Sequence, residues 1–314
     1  MPNRPTAELT ATRVAPRARA WLQADGPIRF LYIFDSVCNL IDQSNQVLSI
    51  QTEGVSLGQI SLEVDSRSLQ KSGTRGFQSW LDAAATAERG ERELRLGPLT
   101  ISWDSASLWD PRPDWAHIRR QRGAWRQHLL GLSDRLRLES PVGGLSGLLG
   151  GDQDRPANAT GMLSQLVAAA RSPALQVLAG IGSSKTEADA VSGAEALAGL
   201  GAGLTPSGDD FLIGVMHALW ATREESEAKA KSAWLAAAAA PRTTPLSAAW
   251  LNAAAAGEAA DHWHTLLAAL VDGNKSDIDR SCRQLLSVGH SSGADALTGF
   301  VALLLGSGVL NSHQ

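Results

Sequence analysis

A chain of 314 residues, 44% hydrophobic and 19% charged, has the composition of a folded soluble protein and the length for two domains. Its net charge of −4 gives no electrostatic reason to bind nucleic acid or an anionic membrane surface. The only cysteines, Cys38 and Cys282, lie far apart without metal-ligand spacing, which argues against a disulfide framework or zinc site and fits a reducing cytoplasm.

Residues 1–26, dotted with Pro and Arg, read as a loosely held arm with one short helix around Arg17 to Gln23; no signal peptide or membrane anchor is visible there. From Ile28 the texture changes. Ile28–Phe34, Val47–Thr52, Gln59–Val64 and Leu99–Trp103 are short runs rich in β-branched and aromatic residues between polar or glycine breaks. They predict an antiparallel β-rich N-terminal domain over 1–113, closing near Pro111–Pro113. The second domain, 114–314, is predicted to be mostly α-helical, so the fold class is α+β.

The helical half opens with Trp115 to Leu130, whose basic face (Arg119, Arg120, Arg122, Arg126) is expected to be solvated or to meet an acidic partner subunit. Ser140 to Gly161 is glycine-rich, with Asp152 and Asp154 inside it, and reads as a loop bordering a pocket or a mobile linker, its place inside the helical half favouring the loop. Helices follow over Met162 to Leu178, interrupted near Pro173, then Glu187 to Leu197, Ala228 to Ala240, Glu258 to Leu270 and Ile278 to Val288.

Between them stands Gly199-Leu-Gly201-Ala-Gly203-Leu-Thr205-Pro206-Ser207-Gly208-Asp209-Asp210. Alternate glycines allow positive φ and close backbone approach, and they lead into a helix start with Thr205 as cap and Pro206 at the first helical position. The pattern Ser-Gly-x-Asp-x-Leu-x-Gly occurs twice, from Ser207 to Gly214 and from Ser292 to Gly299, and Leu304 answers Leu219 at the same offset. Two helices related by pseudo-symmetry are therefore expected to start near one another, with Gly214 and Gly299 permitting close contact and both N-termini facing one anion-binding pocket. The plainer alternative is a cap and a close-packed helix, made twice.

Three loop-to-helix junctions share this chemistry: 201–210, 242–247 and 289–295. Gly201, Gly203, Thr205, Ser207, Gly208, Asp209, Arg242, Thr244, Ser247, Ser291, Ser292 and Gly293 are the candidate substrate-binding residues, with Arg242 as a charged clamp on an oxyanion. Asp210, Asp295 and His290 are the candidate catalytic residues, to position or protonate a leaving group. No cofactor is expected, although Asp210 and Asp295 are chemically able to hold Mg2+.

The quoted motifs, Gly201-x-Gly203-Leu204-Thr205-Pro206-Ser207-Gly208-Asp209-Asp210 and Gly289-His290-Ser291-Ser292-Gly293-x-Asp295, resemble the signatures of the AllH-like family, associated with the multi-subunit bacterial oxamate carbamoyltransferase. The resemblance covers the helical half, including Thr244-x-x-Ser247, and departs at Ala202 and Ala294, where proline and a bulkier residue are frequent in the family. It implies transfer of a carbamoyl group between phosphate and oxamate in allantoin nitrogen catabolism. It also implies a small anionic substrate (carbamoyl phosphate, oxamate or a similar acid) and other enzyme subunits as partners. Two other readings stay open: a non-catalytic partner or regulatory subunit, and a metal-dependent hydrolase built on Asp209 and Asp210.

Overall fold

The structure, a computed structural model, describes residues 6–65, 67–70, 76–82, 84–150, 162–182 and 187–306. They fall into two compact units, Met1–Pro111 and Arg112–Gln314. The fold class is α+β, as expected.

The first unit is one nine-stranded sheet built from β1 (Ala7–Val14), β2 (Ile28–Ile33), β3 (Val37–Asp42), β4 (Val47–Thr52), β5 (Ser61–Val64), β6 (Ala87–Arg89), β7 (Glu93–Leu96), β8 (Leu99–Ser102) and β9 (Ser107–Leu108). Two short helices, α1 (Pro16–Leu22) and α2 (Arg67–Gln70), accompany it. The strand order is β2-β3-β4-β5-β1-β8-β7-β6, with β9 beside β1.

Two expectations are corrected here. The sheet is mixed: β4 with β5, β1 with β8 and β1 with β9 pair in parallel, while the hairpins β2-β3-β4 and β6-β7-β8 are antiparallel. Residues 7–14, expected to be a loose arm, form the central strand. Leu9, Ala11 and Val14 are buried in the apolar core, but Ala, Thr and Arg dilute the alternation enough to hide the strand. Ala7–Thr10 pairs with β8, and from Ala11 the same strand pairs with β5, with an irregularity between Ala11 and Arg13.

The second unit is helical. It contains α3 (Trp115–Arg120), α4 (Arg122–Trp125), α5 (Leu129–Glu139), α6 (Met162–Gly182), α7 (Glu187–Leu197), α8 (Ser207–Thr222), α9 (Glu225–Ala239), α10 (Pro245–Ala255), α11 (Asp261–Asp272), α12 (Lys275–Leu286) and α13 (Ser292–Leu305). Where the sequence predicts one helix over Trp115 to Leu130, the chain breaks into α3, α4, a 3-10 turn and the start of α5. Conversely α6 runs through Pro173 without ending. Close packing from α7 supports it there, since a Cβ at Gly193 would stand 2.6 Å from the Pro173 carbonyl oxygen. Of the glycine-rich stretch, Gly151, Asp152, Asp154 and Gly161 lie outside the described residues.

α8 is the axis of this unit. Every residue from Ser207 to Ala221 is buried, so the helix is covered on all sides, the pattern of a core helix rather than a surface one. The indole of Trp220 donates to Ala254 and that of Trp115 to Gly257. Two members of the basic face find protein partners: Arg119 donates to the carbonyl of Trp220 and Arg122 to that of Thr222, both at the C-terminal end of α8, where the helix dipole favours cations. Arg120 and Arg126 are exposed.

Candidate functional site

The duplicated motif is duplicated in three dimensions. α8 and α13 cross so closely that a Cβ at Gly214 would overlap the Ala296 carbonyl oxygen, and a Cβ at Gly299 would overlap that of Phe211. Phe211 and Ala296 occupy equivalent places in the two copies, so the contact is reciprocal about a local pseudo-two-fold. The copies extend further back than the pattern shows. Leu200 N–H donates to Leu197 and Gly208 N–H to Leu200; in the other copy Val288 N–H donates to Leu285 and Gly293 N–H to Val288. Gly208 and Gly293 each lie flat against the carbonyl of the preceding helix end, Leu197 and Leu285 respectively, where any Cβ would collide.

The loops before the two helices reach the same point from opposite sides. Gly199, Gly201 and Gly203 have φ of 71°, 119° and 100°, conformations open to glycine. Pro206, not Thr205, occupies the cap position of α8, with φ −55° and ψ 142°, and the helix begins at Ser207. Thr205 is thereby released from capping, and its hydroxyl meets that of Ser292 at 2.8 Å. Gly208 and Gly293 give their N–H groups to loop carbonyls, so the expected supply of open backbone donors at the two N-termini is reduced.

Adjacent carboxylates have different surroundings. Asp209, 0% exposed, accepts from Gly199 N–H at 3.1 Å, from Ser247 Oγ at 2.8 Å and from Thr243 Oγ1. Burial raises its pKa and these three bonds oppose the rise. It ties the glycine loop to the start of α10, where Thr244 caps by accepting from Ser247 N–H at 3.1 Å and donates to Leu204 at 2.6 Å. Ser247 and Thr244 thus serve Asp209 and the cap.

Asp210 and Asp295 face the other way, into the α8–α13 junction. They are 2% and 0% exposed, and Oδ2 of each has no hydrogen-bond partner. The hydrogen bonds cross between copies. Ser292 and Thr205 bond to Asp210, while Ser207, Ser291 and the backbone N–H of Leu145 bond to Asp295. Burial, reinforced by the Asp295 charge, pushes the Asp210 carboxyl well above the usual range. Asp295 is pushed up to about 6 by burial, against the hydrogen bonds it accepts and the charge of His290.

Arg242 points elsewhere: its guanidinium pairs with Glu195 at 2.8 Å and donates to Ala238 at 3.0 Å. His290 is exposed at the rim, Ser291 and Ser292 are half-buried, and Gly203 is exposed. A Cβ at Gly201 would press on Ser207 N at 2.8 Å, so this glycine lets its loop lie on the helix start. Two contributors escape sequence reasoning. Leu145 supplies the N–H to Asp295, and a Cβ at neighbouring Gly144 would overlap the same carboxylate, although the sequence signals only a glycine-rich loop there. Thr243, beside the predicted Thr244, is the other. Among the described residues no group of three or more His, Cys, Asp or Glu is placed to hold a metal ion.

No curated protein and no solved structure matches the chain significantly. Residues 197–304 match the family model described as oxamate carbamoyltransferase subunit AllH. That stretch runs from the last residue of α7 to the last turn of α13 and contains both motifs, so the match supports assigning the chain to the AllH-like family.

Proposed function

We propose that this chain is a subunit of a carbamoyltransferase of the oxamate carbamoyltransferase kind, acting in nitrogen catabolism with other subunits in the cytoplasm. The small anionic substrate, carbamoyl phosphate or the carboxylic acid amide that accepts its carbamoyl group, binds at the α8–α13 junction. One observation carries this reading: the 2.8 Å contact between Thr205 and Ser292 joins two helix starts beside a pair of buried carboxyls, each with its Oδ2 lacking a hydrogen-bond partner. Hydroxyls at the rim hold oxyanions and the positive ends of two helices favour them. The family match over both motifs points to the same reaction. Cys38 and Cys282, both free thiols, accord with a reducing compartment.

Isothermal titration of the purified chain with phosphate, carbamoyl phosphate and oxamate tests the reading. Binding by the wild type that is weakened about tenfold or more in the Thr205→Ala, Ser292→Ala double variant is the expected result, each lost hydrogen bond to a charged group being worth about 1.5 kcal/mol or more. No binding, together with full activity of the reconstituted enzyme carrying Ser207→Ala, would sink it.

A second reading, a non-catalytic partner subunit, draws on the commitment of the Gly208 and Gly293 N–H groups to loop carbonyls and on the burial of both helix starts. It requires Asp210→Ala to abolish assembly and to spare turnover in whatever complex still forms. A metal-dependent hydrolase, the third, requires activity to fall in excess chelator.

A further inference from the structure

We propose that Asp210 and Asp295 act as one proton-sharing pair, a two-carboxyl acid–base centre that takes a proton from the attacking amide nitrogen and delivers one to the departing phosphate. The inference rests on the reading above for the identity of the reactants and on the geometry for the pair itself. The two side chains come from equivalent positions of α8 and α13, and each is bonded by a serine of the opposite copy: Ser292 to Asp210, Ser207 to Asp295. Both are almost fully buried and both keep one oxygen without a donor.

A buried, doubly ionised pair with two unsatisfied oxygens is very costly. One retained proton removes a charge and offers a donor in place of a second empty acceptor. The surroundings are asymmetric. Asp295 accepts the Leu145 N–H and has exposed His290 in its surroundings, whereas Asp210 has only hydroxyl donors and stands beside Asp209 as well as Asp295. The proton therefore resides on Asp210, and Asp295 is the carboxylate.

Carbamoyl transfer gives such a pair a task at both ends of the reaction. The amide nitrogen of the acceptor attacks the carbonyl carbon of an acyl phosphate, a nitrogen–carbon bond forms, and the carbon–oxygen bond to phosphate breaks. Asp295 accepts the proton released by nitrogen and Asp210 gives its proton to the leaving oxygen. The pair begins and ends with one proton, which returns from Asp295 to Asp210 between turnovers. No oxidant or other co-reactant enters.

Infrared difference spectra of the full chain at neutral pH, wild type minus Asp210→Asn, are expected to show the carbonyl stretch of one protonated, buried carboxyl. Its absence overturns the pair. In the reconstituted enzyme Asp210→Asn and Asp295→Asn are each expected to lower turnover about 100-fold or more. Phosphate binding by titration should stay within a few-fold, and Asp295→Asn should remove the acidic limb of the pH–rate profile. Turnover that persists with an unchanged profile overturns the catalytic role. Should the wild type itself fail to bind phosphate, the proposed reaction and the role in it fall together, while the infrared band still decides whether the proton is shared. Both asparagine variants are near-isosteric, and a thermal transition at or above that of the wild type separates a chemical loss from unfolding.

Discussion

In the sheet unit the buried carboxylate of Glu63 meets Arg13 through two bonds, at 2.6 and 2.8 Å, and Thr12 at 2.8 Å, which hold its pKa below the usual range. In the helical unit Asp210 and Asp295 lie as deep or deeper, have no cation bonded to them, and are pushed the other way by burial. Both units hide carboxylates, yet among the described residues only the helical one leaves buried carboxylate oxygens unsatisfied. The difference separates a carboxylate that fastens strands together from a pair buried at a cost in stability, the pair to which the proposal above assigns acid–base chemistry. Asp209 shows that the contrast is not one of location. It is the immediate neighbour of Asp210, on the same buried turn, and has three donors.

The largest expected effect comes from closing the gap that brings the pair together. Gly214→Ala or Gly299→Ala places a methyl group on a backbone carbonyl of the facing helix, and a backbone cannot move aside as a side chain does. Either should cost about 3 kcal/mol or more, seen as a lowered denaturant midpoint of the helical unit with the sheet unit's transition unmoved. A loss below about 1 kcal/mol would mean that the crossing is looser than described.

Opposite signs should separate the carboxylates themselves. Asp209→Ala strands three donors, of which Ser247 is buried and Thr243 half-buried, and should cost about 2 kcal/mol, and Arg13→Ala, discounted because Arg13 is 36% exposed, about 1.5 kcal/mol. Asp295→Asn keeps the acceptor for Leu145 and removes a charge whose pKa burial has pushed up to about 6, so stability at pH 7 should rise by up to about 3 kcal/mol. Urea titrations of the three variants beside the wild type check the signs. A destabilised Asp295→Asn would place this residue with Glu63 and Asp209.

The smallest effect is a change of slope with pH. Asp295, raised in the fold, contributes stability that is fully present below its unfolded pKa near 4 and is lost as pH rises through about 6. His217, buried against Trp115 and Trp263, is lowered to about 3 by burial. Its contribution is full above its unfolded pKa near 6.5 and drains away as pH falls towards 3. Between pH 4 and 6 the two slopes oppose each other. Removing the first with Asp295→Asn should make the loss of stability on acidification steeper, measured as unfolding midpoints at half-unit pH intervals.

Much of this was written in the chain. β2, β4, β5 and β8 show as runs rich in β-branched and aromatic residues, whereas β3, β6 and β7 do not stand out, the last two having no β-branched residue at all, and α10 begins where its Thr-Pro start predicts. The repeat of Ser-Gly-x-Asp-x-Leu-x-Gly names the two helices that meet. β1 was hidden because Ala and Thr fill places that stronger strand formers would mark, and its burial comes from three neighbouring strands. The role of Thr205 was misplaced because a Thr-Pro pair signals a cap locally, while the hydroxyl finds a partner 87 residues away.

The order of residues by itself settles the α+β class, the two helix starts and the glycines that let them touch, since these depend on local conformation and on a repeat visible along one dimension. Which carboxylate is satisfied and which is not depends on donors from distant segments: Gly199, Thr243 and Ser247 for Asp209, and Leu145, Ser207 and Ser291 for Asp295. Only the packed helices bring those groups together and exclude the water that would otherwise make Asp209, Asp210 and Asp295 equivalent.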